Sequence, residues 1–190
     1  MRLIPGKRGL AAAAAAMAAS TLLAGPAMAH LAVGAPAPAF TAPGYQAGKP
    51  LTFDLKAALK KGPVVLYFFP AAHTSGCNAE AHLFADAVDQ FKAQGATVIG
   101  VTSGNLDQLA AFSAETEHCS GKFPVASDPN AAIAKTYDSG LMLRPGWSNR
   151  DSYVIAPDGK ILFVYSDLNP NQHVALTLDA VKKWRAEHPK

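Results

Sequence analysis

Cysteine occurs twice in the chain, at Cys77 and Cys119, and the first stands where chemistry is to be expected. The stretch VVLYFFPAAHTSGCNAEAH, Val64 to His82, runs as apolar residues to Pro70 and turns through small polar residues. It delivers Cys77 to the start of a segment with helical periodicity. A sulfur there lies near unpaired backbone N–H groups and the positive end of the helix dipole, both of which stabilise an anion. The thiolate is the nucleophilic form of cysteine, so this is a nucleophile's position. Thr74 can offer a hydroxyl to the sulfur or to a substrate oxygen. Pro70 closes the apolar run without presenting a backbone donor, and Gly76 lets the chain pass close to whatever binds. Phe68, Phe69 and Leu83 can supply an apolar wall.

To hold a sulfur in this way the chain needs a buried strand before it and a helix after it. Val64 to Phe69 is a continuous β-branched and aromatic run, the pattern of a strand covered on both faces. From Ala79 to Gln94, Leu83, Phe84, Ala87, Val88 and Phe91 recur at helical steps, and Gly95 follows as a cap. Thr97 to Ser103 predicts a second buried strand. Leu106 to Glu117 predicts a helix with Leu109 and Phe112 inward, and Cys119 lies just past its end. KFPVASDPN predicts a short strand or turn, and Ala131 to Tyr137 a short helix. Pro157-Asp158-Gly159 joins two β-rich runs as a hairpin, and Val174 to Trp184 closes the chain as a helix with Leu178, Val181 and Trp184 inward. Before the motif, Leu31 to Pro50 is rich in proline, alanine and glycine and predicts extended or turn structure. Leu51 to Leu59 predicts a short strand and a helical turn. Together these make an α/β fold, a mixed central sheet with helices on both faces, and the thioredoxin-like architecture satisfies that order.

The N-terminus carries the features of a signal peptide. Arg2, Lys7 and Arg8 precede the alanine-rich run Leu10 to Ala24, and Ala27-Met28-Ala29 gives a small-x-small cleavage pattern. Residues 1–29 are therefore expected to be removed, leaving 30–190 as one domain, periplasmic or secreted, with no membrane attachment. Of 17 basic residues, three lie in that segment and the rest equal the 14 acidic ones. A balanced charge gives no sign of a nucleic-acid surface or a polybasic membrane patch. Two cysteines in a secreted chain would ordinarily form one structural disulfide. No pair among His73, Cys77, His82, His118 and Cys119 has the spacing of a zinc site, so no metal is expected. Asn78, Ala79 and Glu80 after Cys77 exclude a Cys-x-x-Cys dithiol, and Ala81 leaves a Cys-x-x-x-Cys copper chaperone without its second thiol.

Pro70-x-x-x-Thr74-x-x-Cys77, set in YFFPAAHTSGCNAEA, resembles the active-site motif of peroxiredoxins, and most closely their bacterioferritin-comigratory, or PrxQ, branch. Arg150 in NRDSYVIAPDGKI matches the arginine of that family, and FPVASDPNAAIAKTYD resembles the intervening segment, so the likeness runs from Leu31 to the C-terminus. The resemblance implies a thiol-dependent peroxidase without a cofactor. In it the Cys77 thiolate attacks the nearer oxygen of a hydroperoxide to form a sulfenic acid, while Thr74, nearby backbone N–H groups and Arg150 hold the peroxide and the developing charge. Glu80 either orients Arg150 or is a solvated first-turn carboxylate. His73, where relatives differ, is expected to be an exposed loop histidine.

The close resolving position of many relatives is His82 here, and the resemblance then implies Cys119 as the resolving cysteine. It would form an intramolecular disulfide with Cys77 once the first helical turn unwinds. A one-cysteine enzyme with a bystander thiol, a permanent disulfide, and a non-catalytic thioredoxin-like binding module are the alternatives. The implied partners are a hydroperoxide substrate and a thioredoxin-like or other thiol reductant, acting on a monomer.

Overall fold

The computed structural model describes residues 30–189, so the expected signal peptide lies outside the described residues. Two β-strands, β1 (Thr41–Gln46) and β2 (Lys49–Asp54), form an N-terminal hairpin. A short helix α1 (Leu55–Leu59) follows, capped by Asp54, whose carboxylate accepts from Ala57 N. Then come β3 (Val64–Ala71), α2 (Ser75–Ala93), β4 (Thr97–Gly104) and α3 (Leu109–Ala114). The chain continues through β5 (Val125–Ser127), α4 (Ala132–Thr136), the hairpin β6 (Asp151–Ile155) and β7 (Ile161–Ser166), and α5 (His173–Glu187).

One seven-stranded sheet holds all the strands in the order β2-β1-β5-β4-β3-β6-β7. It is mixed: β4 pairs in parallel with β3 and β5, and β6 pairs antiparallel with β3 and β7. Among the described residues no helix is long and apolar enough to cross a membrane.

The central strand explains why its sequence lacks alternation. Val65, Tyr67 and Phe69 join a core beneath α2, α3 and α5, whereas Val64, Leu66 and Phe68 join a second core beneath α1 and α4. Each of these side chains has no exposed surface, and burial of such a group contributes roughly 1.5–3 kcal/mol. Helices thus cover both faces of a mixed sheet, as the element order predicts.

Four local expectations need correction. Phe68 lies on the sheet face opposite Cys77 and cannot wall the thiol, although Phe69 and Cys77 do share a core. Leu83 is exposed, because α2 begins at Ser75 and turns its buried stripe through Cys77, Ala81, Phe84 and Val88. The predicted helix over Leu106 to Glu117 is shorter, a 3-10 turn at Leu106–Gln108 followed by α3. Trp184, predicted inward, is only half-buried, whereas Leu178 and Val181 are buried as expected.

Candidate active site

β3 runs one residue beyond Phe69 and Pro70 to Ala71, and the turn Ala72 to Thr74 leads into α2, so Cys77 is the third residue of that helix. The first amides of any α-helix have no partner within it. Here the first intrahelical bond is donated by Asn78 N to Thr74 O at 2.8 Å. Thr74 occupies the cap position, yet its side chain makes no capping bond and instead donates its hydroxyl to Ala71 O at 3.0 Å. The sequence suggested a Thr74 hydroxyl donor aimed at sulfur or substrate. Its proton is committed to Ala71, so Oγ1 can only accept from a peroxide O–H. The helix amides that Thr74 leaves uncapped remain free to donate.

Arg150 reaches this helix start from the residue before β6. Its approach is fixed by Ser148, whose hydroxyl donates to Phe69 O at 2.9 Å and whose amide donates to Ser103 Oγ at 2.9 Å. The guanidinium divides its donors three ways. Nη2 donates to Cys77 Sγ at 3.4 Å, Nη1 to Glu80 Oε2, and Nε to Leu168 O at 2.9 Å. Gly76 makes the first contact possible, since a Cβ there would stand 3.1 Å from Nη2. What passes close to Gly76 is therefore the arginine. Cys77 is 1% exposed and Arg150 4%. Burial opposes the charge of Arg150, but Glu80 and Cys77 more than offset it and hold the guanidinium charged.

Glu80 is fully buried and paired with Arg150, so it orients the arginine and is no solvated carboxylate. Burial pushes its carboxyl up to about 8 against the pull of Arg150. Its second oxygen, Oε1, has no hydrogen-bond partner and lies 3.5 Å from His173 Nδ1. No motif or spacing pointed to His173, a residue 93 positions further on at the start of α5. Its Nε2–H donates to Asp167 O at 2.8 Å, which leaves Nδ1 to accept from the Ser152 hydroxyl at 2.8 Å.

Burial, with Arg150 adding to it, drives His173 down to about 4 from 6.5. In the unfolded chain the imidazole takes a proton as pH falls through 6.5, and in the fold it does not until about 4. Its contribution is thus complete above pH 6.5 and shrinks between 6.5 and 4. The total is about 3 kcal/mol at 1.36 kcal/mol per pH unit. Urea unfolding at pH 7 and pH 4 is expected to show the wild-type protein losing about that much more stability than His173→Gln does. Equal losses in the two proteins would remove His173 from the account.

Tyr67 was also invisible as a site residue. Its hydroxyl is buried without a partner among the described residues, and burial keeps it protonated. Cys119 lies in the turns after α3, buried in the same core as Cys77, and both are free thiols. Burial, with a smaller push from Glu115, raises the Cys119 thiol far above its ordinary range, so it is a thiol and no nucleophile while it stays inside. The permanent disulfide considered from sequence is absent. His82 is half-exposed on α2 beside Asp86. His73, expected as an unpartnered loop residue, has partners on both ring nitrogens, Gln108 Oε1 at 2.8 Å and Glu115 Oε2 at 2.7 Å.

The family model described as the AhpC/TSA family matches residues 33–164. The chain belongs to the AhpC/TSA family.

Its relatives include the chloroplastic peroxiredoxin Q of Sedum lineare, 28% identical over 74% of this chain and 73% of that protein. The chloroplastic peroxiredoxin Q of Suaeda salsa is 30% identical over 80% of this chain and 68% of that protein. Against the wheat peroxiredoxin Q, 31% identical, the chain spans 56% of the relative's length. The crystal structure of peroxidoxin BcpB from Mycobacterium tuberculosis superposes with a TM-score of 0.70 at 30% identity, covering 81% of this chain and 98% of that one. The reduced 2-Cys peroxiredoxin of Plasmodium vivax, at 20% identity and a TM-score of 0.72, shares the fold. This AhpC/TSA member is a peroxiredoxin of the PrxQ kind, an oxidoreductase of the thiol-dependent peroxidase class on a thioredoxin-like fold.

Proposed function

We propose that the protein is a cell-envelope peroxidase, made with a signal peptide over residues 1–29, that reduces hydrogen peroxide or organic hydroperoxides by a two-cysteine cycle within one chain. The observation that carries this reading is the contact of Arg150 Nη2 with Cys77 Sγ, held by Glu80. That guanidinium, with the open amides of α2, can stabilise charge on a leaving oxygen.

The Cys77 sulfur attacks the nearer peroxide oxygen. An S–O bond forms, the O–O bond breaks, and the departing oxygen leaves with its electron pair, takes a proton and goes as water or alcohol. Cys119 then attacks the sulfenic sulfur, closing an S–S bond and expelling the hydroxyl as water. A thioredoxin-like or other dithiol reduces that disulfide. Both sulfurs lie in one core on one sheet face, which supports resolution within a monomer. Both are also buried, so the first turn of α2 must open before they bond.

One equivalent of hydrogen peroxide added to the reduced protein is expected to consume both thiols with a fall of about two mass units, the loss of two hydrogens. Cys77→Ser should be unreactive. Cys119→Ser should accumulate sulfenic and then sulfinic acid at Cys77. Sulfenic acid persisting in the wild-type protein with Cys119 still free would replace this cycle with a one-cysteine one. Both thiols surviving would leave a binding module.

A further inference from the structure

Beside the Arg150 network and separate from it, three side chains far apart in sequence converge: His73, Glu115 and His118, whose ligating atoms all lie within 4.8 Å of one another. His73 precedes the catalytic turn in a left-handed conformation, φ 57°. Its Nδ1 faces Gln108 Oε1 at 2.8 Å, an acceptor, so Nδ1 carries a proton and a neutral ring turns its Nε2 lone pair outward. Outward of Nε2, at 2.7 Å, stands another acceptor, Glu115 Oε2. Two electron-rich atoms at that separation require positive charge between them, either a second proton on the ring or a cation. His118 Nε2 is 3.3 Å from the same carboxylate oxygen. The Nδ1 of His118 is buried and meets no acceptor among the described residues, so the ion-free ring carries its proton on Nε2, toward Glu115, and ligation through Nε2 shifts that proton to Nδ1.

Two imidazole nitrogens and one carboxylate oxygen are the ligand set of many four-coordinate zinc sites that keep one position open. Bonds of about 2.0–2.2 Å place such donors roughly 3.3–3.5 Å apart. One separation, 3.3 Å between His118 Nε2 and Glu115 Oε2, has that value; His73 Nε2 and Glu115 Oε2, at 2.7 Å, stand at hydrogen-bond distance and must open to admit an ion, and the Gln108 contact to His73 Nδ1 is the outer-shell bond that fixes a ligating tautomer. Glu115 is half-exposed, which gives an ion an entry path.

We propose that His73 Nε2, Glu115 Oε2 and His118 Nε2 bind a divalent cation of the zinc class, with water in the fourth position. The site spans the two segments that carry the thiols. His73 lies in the turn before Cys77, and Glu115 and His118 lie in the turns that end at Cys119. A bound ion pins these segments together. Resting on the two-cysteine reading above, it follows that the ion slows closure of the Cys77–Cys119 disulfide, because the segments must shift for the sulfurs to meet. The cation site itself does not depend on that reading.

The test is a titration of the reduced, EDTA-stripped full chain with zinc chloride against a chromophoric chelator, with cobalt chloride as a spectroscopic substitute. One equivalent is expected to bind. Affinity should fall on the order of 100-fold in His118→Ala and in Glu115→Gln, yet hold in Cys77→Ser and Cys119→Ser. The cobalt form should show tetrahedral d–d bands without a thiolate charge-transfer band. Failure of the folded wild-type chain to bind an equivalent, unchanged affinity in His118→Ala, or a thiolate band would each overturn the site. Circular dichroism of each variant separates loss of a ligand from loss of the fold.

With the site loaded, disulfide closure after one equivalent of hydrogen peroxide should slow at least several-fold in the wild-type protein and not in His118→Ala. An equal rate with and without zinc would overturn the pinning. Thiols that ignore peroxide altogether would instead sink the peroxidase reading and leave the zinc titration standing.

Discussion

Arg150→Met is expected to lower the rate constant for the reaction of Cys77 with hydrogen peroxide by about 10²–10³-fold, the usual cost of deleting one preorganised donor to a developing anion. Methionine fills much of the same volume but brings no charge and no N–H. The loss falls on the chemical step, since Nη2 is the donor that touches Sγ. Such a substitution also strips Glu80 of its cation. Without the pull of Arg150, burial drives the carboxyl still higher, so it takes a proton at neutral pH and spares the fold a naked buried charge. Arg150→Lys should recover only part of the rate, because one ammonium cannot meet Sγ, Glu80 and Leu168 O at once. Stopped-flow tryptophan or thiol-coupled assays, with thermal unfolding alongside, measure both quantities. A methionine variant within threefold of wild type would mean that the helix amides carry the reaction alone.

The second large effect is on stability. Glu80→Ala takes the buried partner of Nη1 away from a guanidinium that is 4% exposed and opens a cavity beside it. Breaking one half of a buried pair costs about 3–5 kcal/mol, which in a domain of this size lowers the melting temperature by roughly 10 °C. Glu80→Gln retains an acceptor for Nη1 and should cost less than half as much. Urea unfolding of the three proteins at pH 7 decides the matter, and a loss below 1 kcal/mol in the alanine variant would show Arg150 to be held by Leu168 O and the sulfur.

What could be read from the chain follows the range of the interactions. Val64 to Phe69 announces a doubly buried strand because each face of it demands apolar atoms, and the spacing of Phe84, Val88 and Phe91 marks α2 because the helix repeats locally. The same continuity hid which of Phe68 and Phe69 faces the sulfur, since an unbroken apolar run carries no phase. The β1–β2 hairpin escaped notice for a different reason. Its two-residue turn, Ala47-Gly48, takes positive φ at both positions, 52° and 74°, and alanine is a poor signal for that geometry. Pro43 and Pro50, which argue against strands, are tolerated near the sheet edge that β2 forms. Cys77, Thr74 and Arg150 stood out through residue type and spacing. His173, Tyr67 and the partners of His73 did not, because their roles come from contacts that only the folded sheet creates.

The guanidinium of Arg150 also has a bearing on when the chain becomes reactive. Its contacts with Glu80 and Cys77 join residues 70 and 73 positions apart, and a third contact reaches past β7 to Leu168. Such long-range closures are the costly steps of folding, made after local helices and hairpins have formed. A chain that has built α2 but not yet docked β6 and β7 exposes an ordinary thiol beside a lone carboxylate. Reactivity is therefore acquired at the end of folding, and an unfinished molecule would meet oxidant as a poor target.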